Sequence, residues 1–149
     1  MKIRYAVYLA GSMHGRRVKE VLRERAEAKE ICRKLCLSYY DPADDEGLEH
    51  LSPDSIIDLK PNLRLMKSYV DKDDRHVDRS KYLLVLTGDK SSSGTAWEMA
   101  RHYYRNRRPI VLVGPRQYDG LLTNFTTIKA EKICATLKQA LTYIKRRIK

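Results

Sequence analysis

Glu98 stands just beyond a run of small residues, Ser91-Ser92-Ser93-Gly94-Thr95, which follows the apolar stretch at 82 to 86. Small side chains and free amides opening a helix suit a phosphate or a sugar, and they set one carboxylate beside it. A second junction of this kind lies near the N-terminus, where residues 5 to 10 run into Gly11-Ser12-Met13-His14-Gly15-Arg16-Arg17. One loop ends in an acid and the other in cations, a pairing that suits an anionic glycosidic substrate. The plainer role for Glu98 is a first-turn acid that favours the helix dipole.

The neighbouring residues carry two readings each. Gly11 and Gly94 permit close backbone approach or unusual dihedrals. Ser12 suits a sugar phosphate, with Arg16 or Arg17 to neutralise it, or both arginines are solvated helix residues. Asp41 either hydrogen-bonds a base or caps an element. Tyr39 and Tyr40 either stack on a base or pack in the core, and Trp97 and Met99 are assigned to packing. The glycines after Ala10 lack dinucleotide-fingerprint spacing, and the Lys and Ser or Thr of a phosphate-binding P-loop are absent.

Stepping outward, 149 residues suffice for one compact domain spanning 1–149, with helices on both faces of a sheet. A 42% hydrophobic fraction argues against global disorder. The net charge of +11 predicts attraction to phosphate, nucleotides or nucleic acid without choosing among them. Much of the excess lies at 101 to 108 and in the tail Lys145-Arg146-Arg147-Lys149, where cations also complement a helix end. Cys32, Cys36 and Cys134 are odd in number and read as thiols on helices in a reducing compartment. His14, His50, His76 and His102 show no metal-ligand spacing, so no metal is expected. No leader pattern or membrane-length apolar run appears, which predicts a cytoplasmic protein.

The elements that must position these residues follow from periodicity. Residues 3 to 10 read as a buried strand, and 18 to 37 as a helix with an apolar side through Val21, Leu22, Ala28, Ile31, Cys32 and Leu35. A short strand at 37 to 40 stops at Asp41-Pro42 and gives way to an acidic loop. Pro53 and Pro61 break 48 to 69 into turns or short helices. A helix at 70 to 80 leads to a central strand at 81 to 87, then come a helix at 95 to 106 and a strand at 110 to 113. The stretch from 128 to 149 reads as a final amphipathic helix. This alternation predicts an α/β fold, a three-layer Rossmann-like domain with a largely parallel five-stranded sheet. Ligands then bind beyond the carboxyl ends of the strands, where the loops at 11 to 17, 41 to 47 and 88 to 98 share a cleft.

Taken together, Tyr8-Leu9-Ala10-Gly11-Ser12-Met13, Asp74, Gly94-Thr95-Ala96-Trp97-Glu98 and Arg108-Pro109-Ile110-Val111-Leu112 resemble the nucleoside 2-deoxyribosyltransferase superfamily. Phosphoribohydrolases of the lysine decarboxylase-like group place two glycines before Gly-Thr-x-x-Glu, where this chain has Ser92-Ser93. Within the superfamily the pattern is similar to the branch that hydrolyses 2′-deoxynucleoside 5′-monophosphates, although His14 stands where that branch has arginine.

The resemblance implies a glycosyl ester on Glu98, Tyr8 as the phenol that orients it, and Asp74 as the acid serving the leaving base. Asp71, Asp73 and Asp78 compete with Asp74 for that role. It further implies phosphate recognition by Ser92, a substrate cradle from Gly11, Ser12, His14, Gly15, Arg16, Arg17, Asp41 and Gly94, and no cofactor. A homodimer whose subunits complete each other's sites is expected on the same ground, with Asn124, Thr126 and Thr127 as candidate contributors or simple loop caps. The activity implied is hydrolysis of a deoxynucleoside monophosphate to free base and deoxyribose 5-phosphate. Base exchange shares the same intermediate. A non-catalytic nucleotide or nucleic-acid binder is the remaining class.

Overall fold

The computed structural model describes residues 2–58, 63–86, 93–114 and 129–148, with the backbone alone for 63–66 and 93. Among them five strands form an all-parallel sheet: β1 (Tyr5–Ala10), β2 (Tyr39–Tyr40), β3 (Ser80–Leu86), β4 (Ile110–Val113) and β5 (Lys132–Cys134). Their order is β2-β1-β3-β4-β5. The chain therefore reverses its direction of winding between β1 and β3, the point at which open α/β sheets form a ligand crevice beyond the carboxyl ends of their strands.

Both sheet faces are covered, which is why the central strands read as unbroken apolar runs. Val7, Leu9, Leu84, Leu86, Val111 and Val113 point to one side, against α1 (Val18–Lys34) and α4 (Leu137–Arg147). Tyr8, Ala10, Leu83, Val85, Ile110 and Leu112 point to the other. There they meet Val77 of α2 (Leu63–Asp78) and Met99 of α3 (Ser93–Ala100). Alternation along β1 thus sends Tyr8 toward α2 and α3 while Leu9 enters the opposite core.

Four boundaries differ from the sequence reading. The first helix stops at Lys34 because Cys36 adopts φ 51°, and the amide of Leu37 closes onto the Cys32 carbonyl at 2.9 Å, a left-handed helix ending. The helix before β3 extends from Leu63 rather than starting at 70. The helix carrying Glu98 passes at Arg101 into a π-helical turn, Arg101–Arg105. The presumed helix from 128 is instead β5 followed by α4, divided at Thr136, whose side chain caps Gln139 N at 3.2 Å. Pairing of Val111 to Val113 with 132 to 134 supplies the ladder that decides for a strand. Cys134 accordingly lies in a strand, and Cys36 lies exposed just past a helix end. No described helix is long and apolar enough to cross a membrane.

Candidate active site

Gly11 shapes the floor of the crevice. Its φ is +153°, and a Cβ there would lie 2.8 Å from the Leu86 carbonyl oxygen, so the ends of β1 and β3 approach only across a glycine. The loop is held from below by Arg25, which is 1% exposed. Its guanidinium donates to the Leu9 carbonyl at 2.6 Å, to the Gly11 carbonyl at 3.1 Å and to Asp41 Oδ1 at 3.3 Å.

Arg25 escaped the sequence reading, yet it left a trace. Val18, Val21, Arg25, Ala28 and Cys32 are the buried residues of α1, a helical stripe in which an arginine occupies a core position. Such a charge is retained only where it is paired. Of the two roles weighed for Asp41, the structure shows capping. Its buried carboxylate accepts from Ala43 N at 3.0 Å and pairs with Arg25 and, at 3.1 Å, with Lys29.

Tyr8 and Glu98 meet across the sheet surface. The phenol donates a 2.6 Å hydrogen bond to Glu98 Oε1, so Oε2 is the oxygen left to a substrate. Burial pushes the Glu98 carboxyl up to about 7; the Tyr8 hydrogen bond opposes this and the Asp73 charge reinforces it. Tyr8 is itself raised well above its ordinary value by burial and then by Glu98, so it remains a donor.

The two aspartates of α2 have different surroundings. Asp74 Oδ1 accepts from Trp97 Nε1 at 2.9 Å, and Oδ2 accepts from Arg101 Nη1 at 3.1 Å. Asp73 is pushed up to about 7 by burial, then by the Glu46 and Asp45 carboxylates, with Lys72 opposing. Among the described residues none donates a hydrogen bond to the Asp73 carboxyl. Of the acids weighed for the leaving base, it is thus Asp73 whose carboxyl is raised toward neutrality. The acidic turn after β2 comes against this helix through Lys72 and Asp45, 2.8 Å apart, while Tyr40 donates to Asp45 Oδ2 at 2.6 Å. The Tyr40 ring stacks on His76 at 3.8 Å and lies 5.6 Å from the Tyr8 ring.

The cationic loop is more committed than its sequence suggests. Arg16 makes two bonds to Glu24, at 3.1 and 3.2 Å, and one to the Ser12 carbonyl at 3.0 Å, so its charge is already countered. Arg17 is exposed at the N-cap of α1, and the exposed His14 places Nδ1 4.0 Å from Asp58. Ser12 is buried, and Gly15, at φ 78°, donates its amide to the Ile57 carbonyl at 2.8 Å. Gly94 is exposed in the first turn of α3. Ser92 and Asn124 lie outside the described residues. Trp97, assigned to packing, is instead 55% exposed and works through its indole N–H on Asp74, whereas Met99 is core.

The overall fold recurs among solved structures. A 2-deoxyribosyltransferase from Bacillus psychrosaccharolyticus superposes with a TM-score of 0.66 at 18% identity, covering 89% of this chain and 88% of that one. A conserved protein from Enterococcus faecalis superposes with a TM-score of 0.60 at 19% identity, covering 95% and 98%. The chain has the deoxyribosyltransferase fold. No protein-family profile and no curated protein sequence matches it.

Proposed function

We propose that the protein cleaves the N-glycosidic bond of 2′-deoxynucleoside 5′-monophosphates. The observation that carries this reading is the Tyr8–Glu98 hydrogen bond at the crevice, with Asp73 as the second carboxyl near neutrality. Glu98 Oε2 attacks C1′, and the bond from C1′ to the base nitrogen breaks with its electron pair on the base. Asp73 supplies the proton that the base takes away. Water then attacks C1′, returns a proton to Asp73 and releases the Glu98 carboxylate, leaving deoxyribose 5-phosphate. The chemistry requires one acid and one anion at rest, which Asp73 protonated and Glu98 ionised would supply.

The phosphate specificity rests on the serine-rich loop before α3 and on His14 and Arg17 at the opposite loop. Base transfer is the second reading, favoured by the deoxyribosyltransferase among the superposed structures. The two share the glycosyl ester and differ in whether a base or water meets it. A second copy of the chain would find apolar surface at Val70, one turn before Asp74, and at Trp97, both exposed.

The test is incubation with each natural deoxynucleotide, with and without a second free base. Free base with deoxyribose 5-phosphate supports hydrolysis, and a new nucleotide supports transfer. Unchanged turnover in folded Glu98→Ala would overturn both.

A further inference from the structure

We propose that Arg101 is a positioning residue for this reaction: it fixes the Asp74 carboxylate against α3 and offsets its charge where that charge bears on Asp73 and Glu98. The inference rests on the roles given above to those two acids.

The geometry is that of a clamp. Arg101 stands three residues after Glu98, at the start of the π-helical turn, whose Asn106 amide reaches back to the Arg101 carbonyl at 3.2 Å. Single widened turns of this type concentrate at functional sites. From there one guanidinium spans two acids a turn apart on α2. Nε and Nη2 take the two oxygens of Asp78 at 2.8 and 2.7 Å, and Nη1 takes Asp74. Asn106 Nδ2 adds a third bond to Asp78 at 3.1 Å. Trp97, one turn before Arg101 on the same helix face, fills the other Asp74 oxygen. Both Asp74 oxygens thus accept from donors carried by α3 and the turn that follows it.

The consequence reaches the reacting groups through charge. Asp74 repels negative charge on both Asp73 and Glu98. Arg101 lies against the source of that repulsion. Without it, an uncompensated anion would act on the pair, and both acids would hold their protons to higher pH. The other groups facing Asp73 are Asp45 and Glu46 from the turn after β2, Tyr8 from β1, Tyr40 from β2 and Lys72 on its own helix; Glu98 is faced by Tyr8 from β1 and Arg25 from α1. A change at Arg101 replaces none of them.

The deciding measurement is the pH dependence of kcat together with carboxyl-carbon NMR titration of Asp73 and Glu98 in the unliganded protein. In Arg101→Gln both limbs of the profile and both titrations should move to higher pH by about half a unit or more, with kcat below the acid limb falling about threefold or more. Adding Asp74→Asn should bring them back, whereas adding Asp78→Asn should not. Trp97→Phe, at an exposed position, should shift the titrations in the same direction by less, and it decides the matter if Arg101→Gln does not fold. Titrations that stay at their wild-type positions, or a shift that Asp74→Asn fails to reverse, would overturn the proposal. Absence of turnover in the wild type would instead sink the reading of function, since the titrations need no substrate.

Discussion

The phenol of Tyr8 and the carboxylate of Glu98, ninety positions apart, are joined by a 2.6 Å hydrogen bond. A bond to the charged form of an acid favours that form, so Tyr8 keeps Glu98 more ionised than its burial alone would allow. Tyr8→Phe removes the bond and little volume. The acid limb of the kcat/KM profile should rise, and kcat/KM at neutral pH should fall about 10- to 100-fold, the range for a hydrogen bond to a charged group. An unchanged acid limb in steady-state assays would refute it.

Glu98 also ties stability to pH. Its pKa rises from an ordinary 4.5 to about 7 on folding, so the folded state binds the proton more tightly. The associated stability is complete below pH 4.5 and is lost as pH rises through 7. Glu98→Gln keeps an acceptor for Tyr8 and cannot ionise. Thermal or urea unfolding should find it more stable than wild type by roughly 1–3 kcal/mol at pH 8, with the gap closing toward pH 5.

Asp73→Asn and Asp74→Asn separate the two candidate acids. Loss of a positioned general acid costs about 10²- to 10⁴-fold, and this loss is expected in kcat for Asp73→Asn. Asp74→Asn should cost far less. Single-turnover release of free base measures both, and the reverse ranking would restore the sequence-based assignment.

The buried pair of Arg25 and Asp41 should behave as a unit. Arg25→Met removes the Arg25 donor from the Leu9 and Gly11 carbonyls and leaves the buried Asp41 carboxylate with Ala43 N and Lys29 alone, and should lower stability by about 3–5 kcal/mol in denaturant titrations. Combined with Asp41→Asn, the loss should be smaller than the sum of the two single losses.

Gly11→Ala tests the crevice floor. A methyl group would meet the Leu86 carbonyl at 2.8 Å, in a backbone conformation that side chains resist. We expect a loss of about 1–3 kcal/mol and a drop in activity larger than that of a surface alanine variant, both read on the same preparation.

Much of the fold was legible because it follows from local pattern. The apolar runs of β1, β3 and β4 and the stripe of α1 repeat with the periods of buried strands and an amphipathic helix. The strand β5 was not legible, since Lys132–Cys134 is too short to carry a pattern and exists through its pairing with β4. Likewise 48 to 69 gave no period from which the start of α2 could be read.

For the site, the sequence by itself determined which residue types were available: a glycine able to close β1 onto β3, a carboxylate after a small-residue loop, and a tyrosine on the strand that precedes the crevice. The tertiary structure alone gave chemically identical neighbours different surroundings. Asp73 and Asp74 share a helix and a charge, but only packing gives Asp74 both Trp97 and Arg101, while Asp73 receives the repulsion of Glu46 and Asp45. The same holds for Arg16 against Glu24 and for Arg25 beneath Gly11. An ionisable group's behaviour depends on the charges and donors within a few ångströms of it, and those come from elements that the chain order keeps far apart.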